Sequence, residues 1–277
     1  MTRSPLGFAI DMLLSLEISP PFSWGLFLLY LFFCLQLGLS LQNTGKANWK
    51  INEVTAKQKE VGQSQIQFSH ATAMNRYPDE YSAVQKYFES FATKKAMKFS
   101  LLSFGSSTGE EAITLATMYF NDTKFSLFGV DLDQESIDKA KASVASQDPK
   151  LDSGKVTFFN GKDVDIREYG PYDAIFANSV LCYHGTRGVN PKSIVDKYPF
   201  ADFEASLGYL DASLNVGGVL AIVNTNYHFS DVENLYKKYR PISKCYNFVP
   251  KVDAKNVAYE KMTDNGMLDC VWVKESA

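Results

Sequence analysis

The residues of this sequence whose types and spacing suggest chemistry follow short apolar runs. The loop Gly105–Gly109 follows the run Phe99–Phe104 and precedes a helical pattern. Glycines let such a loop turn sharply and let its backbone approach a ligand closely, and the helix after it begins with unpaired N–H groups. The loop lacks the G-x-G-x-x-G spacing of a dinucleotide site, so it indicates another kind of ligand.

Two acidic residues follow the next two apolar runs. Asp131 follows Phe125–Val130, and a carboxylate there can accept hydrogen bonds from both hydroxyls of a ribose. Asp133 is the better candidate for capping the helix that follows. Asp163 follows Val156–Phe159, where it can accept a hydrogen bond from an adenine amino group. Suitable residues after three successive runs therefore indicate a site for a nucleoside-like ligand.

The elements that must position these residues alternate between strands and helices. Five runs rich in β-forming residues predict strands at Phe99–Phe104, Phe125–Val130, Val156–Phe159, Tyr172–Ala177 and Gly218–Val223. Helical patterns occupy residues 79–97, Glu110–Phe120 and Gln134–Ala145. This alternation predicts an α/β fold with a mainly parallel sheet, whose ligands bind beyond the carboxyl ends of the strands. Two later runs, Lys244–Val249 and Leu268–Val273, predict a C-terminal antiparallel strand pair.

Three segments of the chain resemble one enzyme family. The segment Leu101–Ala116 (LLSFGSSTGEEAITLA) resembles the cofactor loop of the chemotaxis receptor glutamate O-methyltransferases, the CheR family, and STGEEA is its most specific part. Upstream, Thr72–Pro78 (TAMNRYP) resembles the family's T-x-F-F-R-x-P motif, with Met74 and Asn75 in place of the two phenylalanines. Downstream, Phe176–Tyr183 (FANSVLCY) resembles F-C-R-N-V-L-I-Y. The resemblance covers roughly residues 70–225.

The resemblance implies an S-adenosylmethionine-dependent methyltransferase with a class I, Rossmann-like fold. The family's cofactor contacts fall on Thr72, Arg76, Asp131 and one of the two acids Glu110 and Glu111. The family asparagine after the fourth strand falls on Ser179, with Asn178 one place earlier. Together with the loop and Asp163, the expected cofactor-binding residues are Thr72, Arg76, Gly105, Ser107, Gly109, Glu110, Glu111, Asp131, Asp163, Asn178 and Ser179.

The expected catalytic residues are Arg76 and Tyr183, which the resemblance places nearest the transferred methyl group. Their ordinary alternatives are a surface arginine in a salt bridge and a core tyrosine. The family's receptor-gripping β-subdomain lies before the third strand, where this chain has only the short connection Ser143–Lys155. We therefore expect a small molecule or a peptide as the methyl acceptor. A carboxylate is the candidate acceptor group, because an arginine holds a carboxylate at two points.

Two alternative functions remain open at this stage. The loop also fits the G-x-S-x-G pattern of a serine hydrolase, with Ser107 as nucleophile and Asp202 and His228 as its partners. That pattern normally follows several strands, whereas here it follows the first. The second alternative is a catalytically inactive, membrane-tethered module that binds the cofactor or a partner, which Ser179 in the asparagine position and the missing subdomain both suggest.

Composition narrows the classes of function further. The chain has 277 residues, of which 45% are hydrophobic and 21% charged, with a net charge of −3. This balance suits one globular domain with an appendage and argues against a nucleic-acid partner, which a basic patch normally binds. The 4 cysteines form no CxxC pair and there are 3 histidines, so we predict neither a metal site nor a dense disulfide framework.

The N-terminal region contains an uncharged segment. Residues 22–41 are almost entirely apolar, and about 20 such residues are what a membrane-spanning helix needs. A cleaved signal peptide is the alternative. The expected organisation is a tail at 1–21, an anchor or signal segment at 22–41, a linker and helical region at 42–97, and a methyltransferase domain at 98–277.

The expected location follows from the charges beside that segment. Four lysines follow it, namely Lys46, Lys50, Lys57 and Lys59. The positive-inside bias then predicts a single-pass membrane protein with its catalytic domain in the cytoplasm. Secretion after signal-peptide cleavage is the alternative.

Overall fold

The fold was examined in a computed structural model, which describes residues 69–90, 98–147, 151, 154–183, 194–249, 251–252, 259–260 and 266–277. The α-helices in these ranges are α1 (Pro78–Glu89), α2 (Glu110–Thr114), α3 (Gln134–Gln147), α4 (Phe200–Ala212) and α5 (Glu233–Tyr236). The strands are β1 (Phe99–Phe104), β2 (Phe125–Asp131), β3 (Val156–Asn160), β4 (Tyr172–Phe176), β5 (Leu214–Ala221), β6 (Tyr239–Tyr246), β7 (Lys251–Val252), β8 (Tyr259–Glu260) and β9 (Met267–Lys274).

Seven of these strands form one twisted sheet in the order β3-β2-β1-β4-β5-β9-β6. The first five strands of this order are parallel. The chain runs outward from β1 to β3 and then returns to the other side of β1, so the strand order reverses between β1 and β4. In an open α/β sheet this reversal is where a crevice forms for a ligand. β7 and β8 form a separate small antiparallel pair.

Both faces of the sheet are covered, which explains why the parallel strands are nearly continuous apolar runs. Side chains alternate between faces along β1, so Leu101 and Leu102, both fully buried, join different apolar clusters. The cluster of Leu101 includes side chains of α1, α2 and α3. The cluster of Leu102 includes side chains of α4. The sheet is therefore a rigid central layer whose carboxyl edge presents the loops of interest.

The predicted Rossmann-like architecture with a mainly parallel sheet is confirmed. All five predicted parallel strands are present, although the fifth begins earlier than predicted, at Leu214. The pattern Glu110–Phe120 forms α2 followed by one π-helical turn, Leu115–Tyr119. The connection between α3 and β3 is short, since α3 ends at Gln147 and β3 begins at Val156. A β-subdomain of the chemotaxis type has no room there.

The predicted C-terminal antiparallel pair is also present, as β6 and β9. β9 lies between β5 and β6, antiparallel to both. A disulfide joins Cys245 of β6 to Cys270 of β9, 25 positions apart in sequence. The sequence did not predict this bond, because the two cysteines become neighbours only when the two strands pair.

The anchor or signal segment predicted at 22–41 lies outside the described residues. Across the ranges that the structure describes, no helix combines the length and apolarity needed to cross a bilayer. In the same ranges, no group of histidine, cysteine and acidic side chains is arranged to hold a metal ion.

Candidate functional site

The loop after β1 is held against the end of β2 by Asp131. The Ser107 N–H donates to Asp131 Oδ2 at 2.8 Å, and the Asp133 N–H donates to Oδ1 at 3.0 Å. Each carboxylate oxygen keeps a further lone pair for an incoming hydroxyl. Asp131 is only partly buried, so a ligand can reach it. The predicted ribose-binding residue is thus positioned by the same loop that the sequence singled out.

Asp133 caps the helix after β2, as the sequence predicted. Its Oδ2 accepts the N–H of Ser136 at 2.9 Å and the Ser136 hydroxyl at 2.8 Å. These bonds satisfy donors at the start of α3 that have no partner within the helix. With Asp133 engaged in capping, Asp131 is left to face the ligand crevice.

The glycines of the loop are required by both conformation and space. Gly105 and Gly109 have φ of 73° and 94°, in the left-handed region that favours glycine. A side chain at Gly105 would also place its Cβ 2.5 Å from Val180 Cγ2, just beyond β4. The loop can therefore lie directly over the ends of β1 and β4 only because glycine occupies this position.

A segment before α1 crosses this loop, and we call residues 69–77 the strap. The Ser107 hydroxyl donates to the His70 carbonyl oxygen at 3.1 Å. Further along, the Asn75 N–H donates to the Thr114 hydroxyl of α2 at 2.9 Å. The strap contains the family-like motif, and these bonds bring that motif to the carboxyl edge of the sheet, more than 30 residues away in sequence.

Two carboxyl groups and one amide meet below the strap, at the ends of β1 and β4. Glu111 accepts the Ser103 hydroxyl at 2.7 Å, the Tyr81 hydroxyl at 3.1 Å and the Asn178 amide at 2.7 Å. The same amide nitrogen donates to Glu80 Oε1 at 2.7 Å. Two buried atoms of this group, Glu80 Oε2 and Asn178 Oδ1, have no hydrogen-bond partner among the described residues.

The two acids have different protonation behaviour. Burial raises the pKa of Glu80 well above its usual range, and the neighbouring Glu111 raises it further. Burial also raises the pKa of Glu111, but three side-chain donors oppose that rise. Hydrogen bonds to the charged form of a carboxylate favour ionisation. The pKa of Glu80 is therefore raised more strongly than that of Glu111, so Glu80 is the acid of the pair that more readily keeps its proton.

A second polar cluster joins the strap to the loops after β4 and β5. Tyr77 Oη and Ser179 Oγ are 2.6 Å apart. The Asn224 amide donates to Ser179 Oγ at 2.8 Å and to Tyr77 Oη at 3.3 Å. Burial raises the pKa of the Tyr77 hydroxyl, which is therefore neutral at physiological pH.

Backbone strain is concentrated around these clusters. The non-glycine residues with a left-handed backbone, among those described, are Asn75 (φ 52°), Ser107 (φ 47°), Ser179 (φ 55°) and Asn224 (φ 60°). All four take part in the hydrogen bonds given above. Such conformations cost free energy and persist where surrounding contacts enforce them, which is common at functional sites.

Other predicted residues lie on the strap. Arg76 is exposed, donates from Nη1 to the Ala71 carbonyl at 2.6 Å, and places its guanidinium carbon 5.2 Å from the ring centroid of Tyr77. It forms no ion pair among the described residues, and its charge opposes the rise in the pKa of Glu111. Thr72 is partly buried on the same segment.

The remaining predicted residues are less central. Glu110 accepts the Thr108 hydroxyl at 2.7 Å, so of the two adjacent acids it is Glu111 that reaches the strand ends. Asp163 is exposed after β3, the neighbour of β2. Tyr183 is partly buried, and its N–H donates to Asn226 Oδ1 at 2.6 Å. The structure therefore brings its backbone to the site without showing a catalytic contact of its ring.

Three contributors to the site were not predicted from the sequence, namely Glu80, Tyr77 and Asn224. Tyr77 lies inside the family-like TAMNRYP segment, so its neighbourhood was a usable signal. Glu80 stands in the first turn of an amphipathic helix, where an acid is ordinarily a solvated residue that favours the helix start. Its burial depends on tertiary packing, which local sequence does not reveal.

The hydrolase alternative receives no support from the geometry. The Ser107 hydroxyl donates to a main-chain carbonyl, whereas a nucleophilic serine passes its proton to an imidazole. His228 lies at the start of the 3-10 turn Phe229–Asp231, beyond β5. Within the described ranges, Ser107 is thus a loop-fixing residue.

The sequence matches no family model and no curated protein, but the structure is similar to several solved structures. Magnesium protoporphyrin IX methyltransferase from Synechocystis PCC 6803, solved with bound SAM, is 14% identical with a TM-score of 0.43, covering 70% of this chain and 79% of that one. PKMT2 from Rickettsia typhi is 17% identical with a TM-score of 0.36, covering 55% of this chain and only 26% of that one.

TehB from Haemophilus influenzae is also similar, at 12% identity and a TM-score of 0.40. The match covers 68% of this chain and 61% of that one. At such identities a shared architecture does not carry a shared substrate. The resemblance to the CheR family stays a prediction, since none of these structures tests it.

Proposed function

We propose that this chain binds S-adenosylmethionine at the carboxyl edge of its sheet and transfers the methyl group to a small-molecule or peptide acceptor. The observation that carries this proposal is the convergence of Asp131, the strained Gly105–Gly109 loop and the Glu111 carboxylate beside the β1–β4 reversal. These groups have the charges and acceptors that a nucleoside linked to an amino acid requires.

The residues present fit the ribose, the adenine amino group and the α-ammonium group of that cofactor. Asp131 has acceptor capacity for two ribose hydroxyls, and exposed Asp163 stands after the adjacent strand for the adenine amino group. As the more acidic of the two carboxyl groups, Glu111 suits an α-ammonium group. The orphaned Asn178 Oδ1, beside Glu111, is an acceptor that still needs a donor.

The chain's own residues would act mainly by positioning. Bound S-adenosylmethionine supplies an electrophilic methyl group on a sulfonium, and its transfer is an in-line displacement. Ser179, Tyr77 and Asn224 fix the loops on the acceptor side through their mutual hydrogen bonds. A preorganised arrangement of this kind lowers the barrier by orienting the reactants.

We propose a carboxylate as the acceptor group. Arg76 is exposed on the strap, next to Tyr77, and its planar guanidinium can hold a carboxylate at two points. A carboxylate is already ionised at neutral pH, so this transfer needs no general base. The absence of a requirement for a base agrees with the neutral state of the Tyr77 hydroxyl.

The first test is binding followed by transfer with the full chain. Isothermal calorimetry with S-adenosylhomocysteine should show one site per chain. Labelled S-adenosylmethionine should then label a member of a panel of carboxylate, hydroxyl and amine acceptors, and a carboxylate product should release its label in mild base.

Each outcome has a defined meaning. A folded protein that binds neither S-adenosylmethionine nor S-adenosylhomocysteine would contradict the proposed function. Binding without transfer to any acceptor class would favour a non-catalytic module. A base-stable product would retain the methyltransferase and exclude the carboxylate.

A further inference from the structure

A lysine is buried beside the loop that leaves β5, and we call residues 224–227 the β5 turn. Lys251 is 5% exposed. Its ammonium donates to the carbonyl oxygen of Thr225 at 2.9 Å, to the Thr225 hydroxyl at 2.7 Å and to the carbonyl oxygen of Tyr227 at 3.0 Å. All three hydrogens of the ammonium are thus directed at one turn.

The β5 turn carries two residues that reach the candidate site. Asn224 bonds to Ser179 in the second polar cluster, as described above. Asn226 is fully buried and accepts the Tyr183 N–H at 2.6 Å. The turn is therefore the link between β5 and the loop after β4, on the side where the acceptor would approach.

We propose that Lys251 is a positioning residue, which holds the β5 turn in the shape that places Asn224 and Asn226 at the candidate site. The turn carries a left-handed non-glycine residue, Asn224, and a strained conformation persists only where its surroundings enforce it. Without the ammonium, two main-chain carbonyls and a hydroxyl would lose a charged donor inside the protein.

The surroundings of Lys251 support a positioning role over a purely stabilising one. It lines a cavity of about 120 Å³ together with His228, Asn247 and Asp269. A buried charge is costly, and an apolar side chain would satisfy packing alone. The amine beside the cavity therefore serves as a donor to the turn.

The fold contains a matched control for this residue. Lys274 of β9 is also 5% exposed and also donates to two main-chain carbonyls, those of Asp211 at 2.7 Å and Leu214 at 3.1 Å. These partners lie at the end of α4 and at the start of β5, at the opposite edge of the sheet from the site. Lys274→Met therefore removes a buried ammonium, which also pairs with the Asp211 carboxylate at 3.0 Å, without touching the β5 turn.

The principal test is hydrogen exchange of the full chain by mass spectrometry, which needs no ligand. Lys251→Met should speed exchange about 10- to 100-fold in peptides covering the β5 turn and Tyr183, the range expected when bonds to a charged donor are lost. Lys274→Met should leave these peptides unchanged. Thr225→Val keeps the shape of the side chain but removes one acceptor of the lysine and the hydroxyl's own bond to the Tyr227 carbonyl, and it should give a smaller increase.

A second readout uses S-adenosylhomocysteine affinity, and this part rests on the proposed function. Burial lowers the pKa of Lys251 to about 7, and the neighbouring Asp231 and Cys182 side chains oppose that shift. Above that pH, two N–H donors face three acceptors. Affinity should therefore fall several-fold between pH 6 and pH 8.5 in wild type and in Lys274→Met. Lys251→Met separates this dependence from any contribution of His228, which also lines the cavity beside the lysine.

Lys251→Met should bind S-adenosylhomocysteine weakly at both pH values. Unchanged exchange at the turn in both Lys251→Met and Thr225→Val would overturn the positioning role. If Lys274→Met speeds exchange at the turn equally, the effect reflects general stability, and the positioning role of Lys251 is overturned as well. Complete absence of binding in wild type would contradict the proposed function instead, and would leave the exchange result interpretable.

Discussion

Asp131 has two tasks in the site, because the carboxylate that is available to a ribose also anchors the loop through Ser107. Asp131→Ala should weaken S-adenosylhomocysteine binding about 10- to 100-fold, since a hydrogen bond to a charged group contributes about 1.5–3 kcal/mol. Calorimetry measures this change directly.

The control for this variant is Asp173→Ala. Asp173 of β4 also accepts a main-chain N–H, that of Ser100 at 2.8 Å, but it lies near the amino edge of the sheet. Its removal should lower stability and leave affinity intact. Equal affinity in wild type and folded Asp131→Ala would exclude the ribose role.

Arg76 offers a test of how the acceptor is held. Arg76→Lys should lower turnover about tenfold or more while leaving cofactor affinity nearly unchanged, because a lysine cannot reproduce a two-point contact with a carboxylate. Steady-state kinetics and calorimetry on the same variant measure the two quantities. A parallel fall in affinity would show that Arg76 instead contacts the cofactor's own carboxylate.

The matched control is Arg240→Lys. Arg240 is exposed on β6 and paired with Glu275 at 2.6 Å, at the far edge of the sheet. Arg240→Lys should change neither turnover nor affinity. A similar loss of turnover in both variants would contradict the role of Arg76 in holding the acceptor.

At the level of elements, helix α1 contacts the end of β4 through the buried acid Glu80, whose pKa is raised. The pKa of Glu80 is raised in the folded state by burial and by Glu111. Between the ordinary pKa of about 4.3 and the raised value, the folded state holds a proton that the unfolded state has lost. Stability should therefore fall as pH rises through that window, by up to about 1.4 kcal/mol per pH unit.

Glu80→Gln should remove this pH dependence. The variant should gain thermal stability relative to wild type as pH rises from 5 to 8, and differ least at pH 5 or below. Glu89→Gln, at the exposed end of the same helix, controls for the loss of an acid. Parallel melting curves of Glu80→Gln and wild type at every pH would show that Glu80 carries no such proton.

The helices and strands could be predicted from the sequence where the local pattern of residues determines their type and position. The parallel strands are apolar runs because both faces of the sheet are covered, so β1 was predicted with its exact bounds. The glycine loop and Asp131 were predictable because they follow those strands directly. Glu80 and Asn224 were not, since their contacts with Asn178 and Ser179 span 98 and 45 positions. Helix α4 has a weak periodic pattern because its residues 206–211 are all buried, whichever side of the helix they occupy.

At the level of the whole molecule, the disulfide between Cys245 and Cys270 fastens the edge strand β6 to β9. Replacing both cysteines by alanine should lower the free energy of unfolding by about 2–4 kcal/mol under oxidising conditions. Urea denaturation measures the difference. In excess reductant, wild type and variant should become similar in stability. A difference in the free energy of unfolding that persists under these conditions would show that the loss comes from side-chain packing.

The same bond bears on the proposed location. Disulfides persist in oxidising compartments, whereas the lysines after the segment 22–41 favour a cytoplasmic domain. The two locations can be distinguished by the redox state of these cysteines in intact cells. Acid trapping of thiols, followed by alkylation and mass spectrometry, measures that state. Free thiols at Cys245 and Cys270 would support the cytoplasmic proposal. An oxidised pair in the cell would contradict it and favour secretion after signal-peptide cleavage.

The position of β9 also governs the order in which the protein can assemble. β9 follows β6 in the chain, yet it lies between β5 and β6 in the sheet. During synthesis β6 leaves the ribosome first and has no sheet neighbour until Met267–Lys274 has emerged. The half of the sheet from β3 to β5 can form earlier, carrying the Asp131 side of the crevice, while the β6 edge must wait for the arrival of the last strand.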